Sequence, residues 1–87
     1  MKFTDIKVFK NERFSIEKEI ISDKYCISFP VCNHMGQYTE FYEITDEEFK
    51  QFTSNYDLLT QFVNECKQRK NDNRLLEKPG KWRGDPC

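Results

Sequence analysis

Tyr25-Cys26-Ile27-Ser28-Phe29-Pro30-Val31-Cys32, then Asn33-His34-Met35-Gly36, then Tyr38-Thr39-Glu40-Phe41-Tyr42-Glu43-Ile44 is the stretch that decides the fold. Tyr25, Ile27, Phe29 and Val31 alternate with smaller or polar residues, the period-two pattern of a half-buried strand. Pro30 has no N–H to give a ladder, which predicts an edge strand or a bulge there. Asn33 to Gly36 reads as a turn, with Gly36 free to take a positive φ. Tyr38 to Ile44 returns as the partner strand, with Tyr38, Glu40, Tyr42 and Ile44 on one face and Thr39, Phe41 and Glu43 on the other.

Upstream, Phe14 and Ile16 begin a second alternation that runs to Ile20, so residues 1–44 favour strands. Downstream, Thr45 followed by Glu48 is a capping-box signal, and Asp46, Glu47 and Glu48 place negative charge at the positive end of a helix. Phe49, Phe52, Tyr56, Leu59, Phe62, Val63 and Cys66 then fall at three- and four-residue spacing, one buried stripe. Thr53-Ser54-Asn55 interrupts it with poor helix formers that cap well, predicting a kinked helix or a helix pair that ends near Lys70. Past Asn73, Leu75-Leu76 is the one apolar pair able to pin the tail to the core. Two Gly and two Pro among the final nine residues forbid a regular element there. The expectation is a single α+β domain over 1–87. An antiparallel sheet of three to four strands (1–44) is packed by one kinked helix or a helix pair (45–70), and an irregular tail (71–87) follows.

An 87-residue chain buries only roughly 60–65% of its unfolded surface, which leaves little room for a deep cofactor pocket beside a core. No Gly-rich phosphate loop, serine elbow or paired-carboxylate motif stands on a convincing scaffold. His34 lies next but one to Cys32, but structural zinc wants four ligands from recognisable close pairs, and Cys26 and Cys66 are distant. No enzyme activity, cofactor or metal is therefore expected. Charges interrupt each apolar run at the N-terminus before it reaches signal-peptide length, and no stretch approaches the ~20 apolar residues of a membrane helix. A cytoplasmic protein follows, and Cys26, Cys32, Cys66 and Cys87, scattered without a CxxC pair, are then expected as free thiols; in an exported chain the even count would point to disulfides.

Charge is sorted along the chain. Residues 1–66 carry 7 Lys and Arg against 12 Asp and Glu, whereas residues 67–87 carry 7 against 3. The sharpest segment holds Glu40, Glu43, Asp46, Glu47 and Glu48 with no basic residue between them, among Phe41, Tyr42 and Phe49. An acidic, aromatic-studded patch suits docking on a basic partner. Asp46, Glu47 and Glu48 are also what a well-capped helix start carries, so only Glu40 and Glu43 call for another reason, and alternation puts those two on opposite faces. Tyr38, Phe41, Tyr42 and Trp82 are the candidate aromatic anchors. The basic segment from Lys67 to Arg83, with Trp82 inside it, has the composition of a weak nucleic-acid contact, but Asp72, Glu77 and Asp85 dilute it. It reads more simply as a solvated helix end and an ordered tail with Trp82 on the sheet.

Ile27-Ser28-Phe29-Pro30-Val31, Tyr38 to Ile44, Glu65-Cys66-Lys67-Gln68-Arg69, Arg74-Leu75-Leu76-Glu77-Lys78-Pro79-Gly80 and Arg83-Gly84 together resemble a family of small bacterial proteins from polymorphic-toxin and contact-dependent growth-inhibition loci. The similarity runs from about Ile27 to Pro86. It implies an immunity protein: tight stoichiometric binding to a cognate toxin domain, often a nuclease, in the cytosol, with no catalysis, cofactor or membrane. Contact surfaces vary within such a family, so the candidate contact residues, Glu40, Glu43, Asp46, Glu47, Glu48, Tyr38, Phe41, Tyr42 and Trp82, come from the charge argument. The alternative function is a small nucleic-acid-binding or regulatory module that uses the basic tail.

Overall fold

The computed structural model describes residues 2–87. Strands β1 (Phe3–Phe9), β2 (Phe14–Glu19), β3 (Tyr25–Asn33) and β4 (Gly36–Ile44) form an antiparallel meander in the order β1-β2-β3-β4. Helices α1 (Asp46–Ser54) and α2 (Tyr56–Lys67) follow, then a 3₁₀ turn (Asp72–Arg74) and the two-residue strand β5 (Asp85–Pro86). The fold is α+β with a helix pair, as the sequence pattern indicates.

Each boundary has a local cause. Gly36 sits at φ 135° beyond the His34-Met35 loop, a conformation costly for residues with a Cβ. The Thr45 hydroxyl accepts from the Glu48 amide at 3.1 Å and the Glu48 carboxylate accepts from the Thr45 amide at 2.9 Å, a complete capping box. Asn55 ends α1 and caps α2, its side chain accepting from the Leu58 amide at 3.1 Å. The Thr53-Ser54-Asn55 interruption is thus a helix break.

Both helices cover one face of the sheet. Phe14, Ile16, Ile27, Phe29, Val31, Tyr42 and Ile44 meet Phe52, Leu59, Phe62, Val63 and Cys66 in the core. The other face has no helix, yet Cys26, Ser28 and Glu19 are buried on it. Two strands separate β1 from β4, about 14 Å at ordinary spacing, but the rings of Phe3 and Phe41 stack with centroids 3.9 Å apart. The sheet curls and the two rings lean inward, roofing the small and polar side chains beneath.

Pro30 departs from expectation: β3 is a central strand, paired with β4 along its whole length. Its other edge is shared, with Ser15 to Lys18 of β2 covering the first half and β5 the second. Pro30 lies at the junction. Its carbonyl accepts from the Cys87 amide at 3.2 Å, so its missing N–H points into the gap between β2 and β5, where no partner is left unsatisfied. Leu75 bridges Tyr42, and the Leu76 amide donates to the Phe41 carbonyl at 3.0 Å, pinning the tail along the outer edge of β4.

Candidate partner-binding surface

Strand alternation places Glu40 and Glu43 on opposite faces of β4, and the structure gives them opposite fates. Glu40 faces the helices and is 7% exposed. Its carboxylate accepts from Arg83 Nε at 2.9 Å, from Arg83 Nη2 at 3.2 Å and from the Tyr42 hydroxyl at 3.0 Å. The same guanidinium reaches both oxygens of Asp72, at 2.7 and 3.0 Å. Asp72 first and Glu40 next hold Arg83 firmly protonated, and Arg83 in turn lowers the Asp72 pKa. Glu40 is thus neutralised inside the fold and is corrected from a contact residue to a structural one. Tyr42 is corrected likewise: it is fully buried, its hydroxyl also donates to the Cys66 carbonyl at 3.2 Å, and burial raises its pKa.

The remaining candidates scatter. Glu48 closes the capping box and receives Arg74 at 2.7 Å; burial alone would raise its pKa, but Arg74 and Thr45 outweigh it and the net shift is downward. Asp46 and Glu47 are exposed in the first turn of α1. Glu43 is half-buried on the helix-free face and takes a 3.4 Å contact from Lys24. The Tyr38 hydroxyl accepts from the Gly84 amide at 3.0 Å, a tail fastening. Trp82 stands 55% exposed beside the β3–β4 turn, edge-on to His34 and under Lys81, so it does not pack on the sheet. The turn and the start of α1 lie at opposite ends of β4, about 26 Å of strand apart, so Trp82 and the acidic helix start form no common patch.

The basic tail is spent internally. Arg69 pairs with Asp85 at 3.1 Å, Arg74 with Glu48, and Arg83 with Glu40 and Asp72. Cys32 and Cys87 are joined in a disulfide, Cα atoms 5.7 Å apart, which corrects the expectation of four free thiols; Cys26 and Cys66 are free and buried. No helix is long and apolar enough to cross a membrane among the described residues.

What sequence reasoning missed is on the helix-free face. A cleft of about 430 Å³ runs across it, with Asp5, Glu17 and Ser28 toward one end, Lys10 and Arg13 toward the other, and Phe41 in its wall. Register explains the grouping: Asp5 pairs with Glu17, and Ser28 with both Ser15 and Phe41, so these side chains share one face on adjoining strands. Ser28 donates to the Glu17 carboxylate. Burial raises the Glu17 pKa, and the nearby Asp5 raises it further, whereas the Ser28 bond works against both. No lysine or arginine lies within ion-pair distance of Asp5 or Glu17 among the described residues. The pair was legible only as two acidic positions in two separate strands, because nothing in the sequence reports the β1–β2 register. Comparison with known protein families, with curated proteins and with solved structures returns no match to this chain.

Proposed function

We propose that this chain is a non-catalytic protein-binding domain that neutralises a bacterial toxin domain by one-to-one association, as an immunity protein, and that the helix-free sheet face is its contact surface. The observation that carries the reading is an open, curved sheet face whose carboxylate pair lacks internal counter-ions, on a molecule that elsewhere matches Glu40, Glu43, Glu48, Asp72 and Asp85 with cations. A lysine or arginine entering the cleft relieves the Asp5–Glu17 repulsion, and Phe41 offers an aromatic wall to its aliphatic stem. Of the residues expected from sequence, Phe41 and Glu43 lie on this face.

The resemblance to immunity proteins supplies the partner class, a toxin domain of nuclease type whose cleft for nucleic acid is basic, and with it a cytoplasmic site of action. Binding there excludes substrate without chemistry. The nucleic-acid reading loses its main contacts, since Arg69, Arg74 and Arg83 are occupied by carboxylates. Calorimetry of the purified chain against the toxin encoded beside it tests the proposal. A one-to-one complex at submicromolar concentration supports it, and no heat at micromolar concentration ends it.

A further inference from the structure

The last five residues carry two separate fastenings. Arg83 grips Glu40, Asp72 and the Tyr42 hydroxyl. Four positions later Cys87 is bonded to Cys32 across 55 residues of sequence. Between them Gly84 lies flat on β3: a Cβ built there would stand 2.0 Å from the Cys32 carbonyl oxygen. Asp85 and Pro86 complete the strap by pairing with Cys32 and Val31.

Access to thiol chemistry is confined to this one bond. Cys32 and Cys87 are both exposed residues. Cys26 and Cys66 are buried, and burial pushes their thiols up to about 12, so at neutral pH neither supplies a thiolate for exchange. Opening the bond leaves a protein with one pair able to re-form.

We propose that Cys32–Cys87 is a reversible thiol–disulfide latch on the C-terminal strap, thermodynamically coupled to the Arg83 clamp. A small thiol reductant of the glutathione class opens it. Its thiolate attacks one sulphur, forming a mixed disulfide and releasing the other as a thiolate that takes a proton from solvent. A second reductant thiolate attacks the mixed disulfide and frees the remaining cysteine. Two reductant thiols become one reductant disulfide, and the protein disulfide becomes two thiols. Opened, residues 84–87 leave the edge of β3 and Arg83 loses its downstream anchor. Coupling is reciprocal: whatever the closed bond adds to the hold of Arg83 on Glu40, the clamp adds to the closed bond.

The test uses the full chain equilibrated in glutathione buffers of graded composition, with thiol and disulfide forms counted by alkylation and mass spectrometry. In the wild type, reduction is reversible and raises hydrogen exchange at the Cys32 and Cys87 amides, with the β2–β3 amides unchanged. Arg83→Gln shifts the thiol-to-disulfide ratio at least tenfold toward thiol. Asp72→Asn, which loosens the clamp at its exposed end, shifts it the same way by less and serves if Arg83→Gln does not fold. A wild-type bond that resists excess reduced glutathione, strap exchange unchanged on reduction, or equal ratios in wild type and clamp variants would each overturn the latch.

Discussion

The two faces of one sheet treat the same chemical group in opposite ways. On the helix-covered face Glu40 is buried, yet it meets Arg83 and the Tyr42 hydroxyl, and Asp72 completes the neutralisation. On the helix-free face Glu17 is half-buried beside Asp5 with only Ser28 donating to it. Burial of a carboxylate is compatible with stability when the charge is matched and its hydrogen bonds are made, and costs stability when it is not. The first face is assembled for the fold; the second carries an unresolved charge that a partner can resolve.

The contrast breaks most visibly at Arg83. Arg83→Ala leaves Glu40 buried without a counter-ion and costs about 3–5 kcal/mol, read from urea unfolding. Adding Glu40→Gln recovers most of that loss; a cost below about 1 kcal/mol for the single variant would show that the clamp is not structural. Gly84→Ala forces the strap off the β3 backbone and costs roughly 1–3 kcal/mol in the same assay, with slower closure of Cys32–Cys87 on reoxidation. No loss would mean that β5 is incidental to the fold.

On the other face, Phe41→Ala removes the stack on Phe3 and costs about 1–2 kcal/mol. It also opens the roof above Cys26, whose alkylation accelerates while that of Cys66, on the far side of the sheet, does not. Equal acceleration at both thiols would indicate general loosening instead.

The smallest effect is the most diagnostic of the contrast. Asp72 has a lowered pKa, because Arg83 favours its charged form, so its stabilisation is complete above the unfolded value near ~3.9 and is lost as pH falls through the lowered folded value. Glu17 has a raised pKa, so its contribution has the opposite sign: most favourable below the unfolded value near ~4.3 and lost as pH rises through the raised folded value. Asp72→Asn therefore flattens the acid loss of stability, and Glu17→Gln steepens it, by denaturant unfolding between about pH 3 and pH 6. Slopes that change in the same direction would refute the distinction.

The contrast also marks what the sequence could reveal. Alternation in Tyr25 to Ile44, the Thr45/Glu48 box and the 3–4 spacing through Cys66 determine neighbouring positions, so strands, helix starts and core were legible. The opposite placement of Glu40 and Glu43 was legible for the same reason. What Glu40 meets was not, since Arg83 lies 43 positions downstream in a tail rich in Gly and Pro with no periodicity to place it. The Cys32–Cys87 bond is non-local too, spanning 55 positions. Pro30 misled because a missing donor marks an edge only when no short strand such as β5 takes over half of that edge. A run of five carboxylates looked like one surface because linear adjacency hides that one faces the core, one caps a helix and pairs with Arg74, and one lies on the opposite sheet face.

Association kinetics with the cognate toxin domain test the assigned surface most directly, comparing Asp5→Lys/Glu17→Lys on the helix-free face with Asp46→Lys/Glu47→Lys at the start of α1. The account predicts at least tenfold slower association and a flatter salt dependence for the first pair, with the second close to wild type. Slowing confined to the helix-start pair would move the interface to α1 and contradict it.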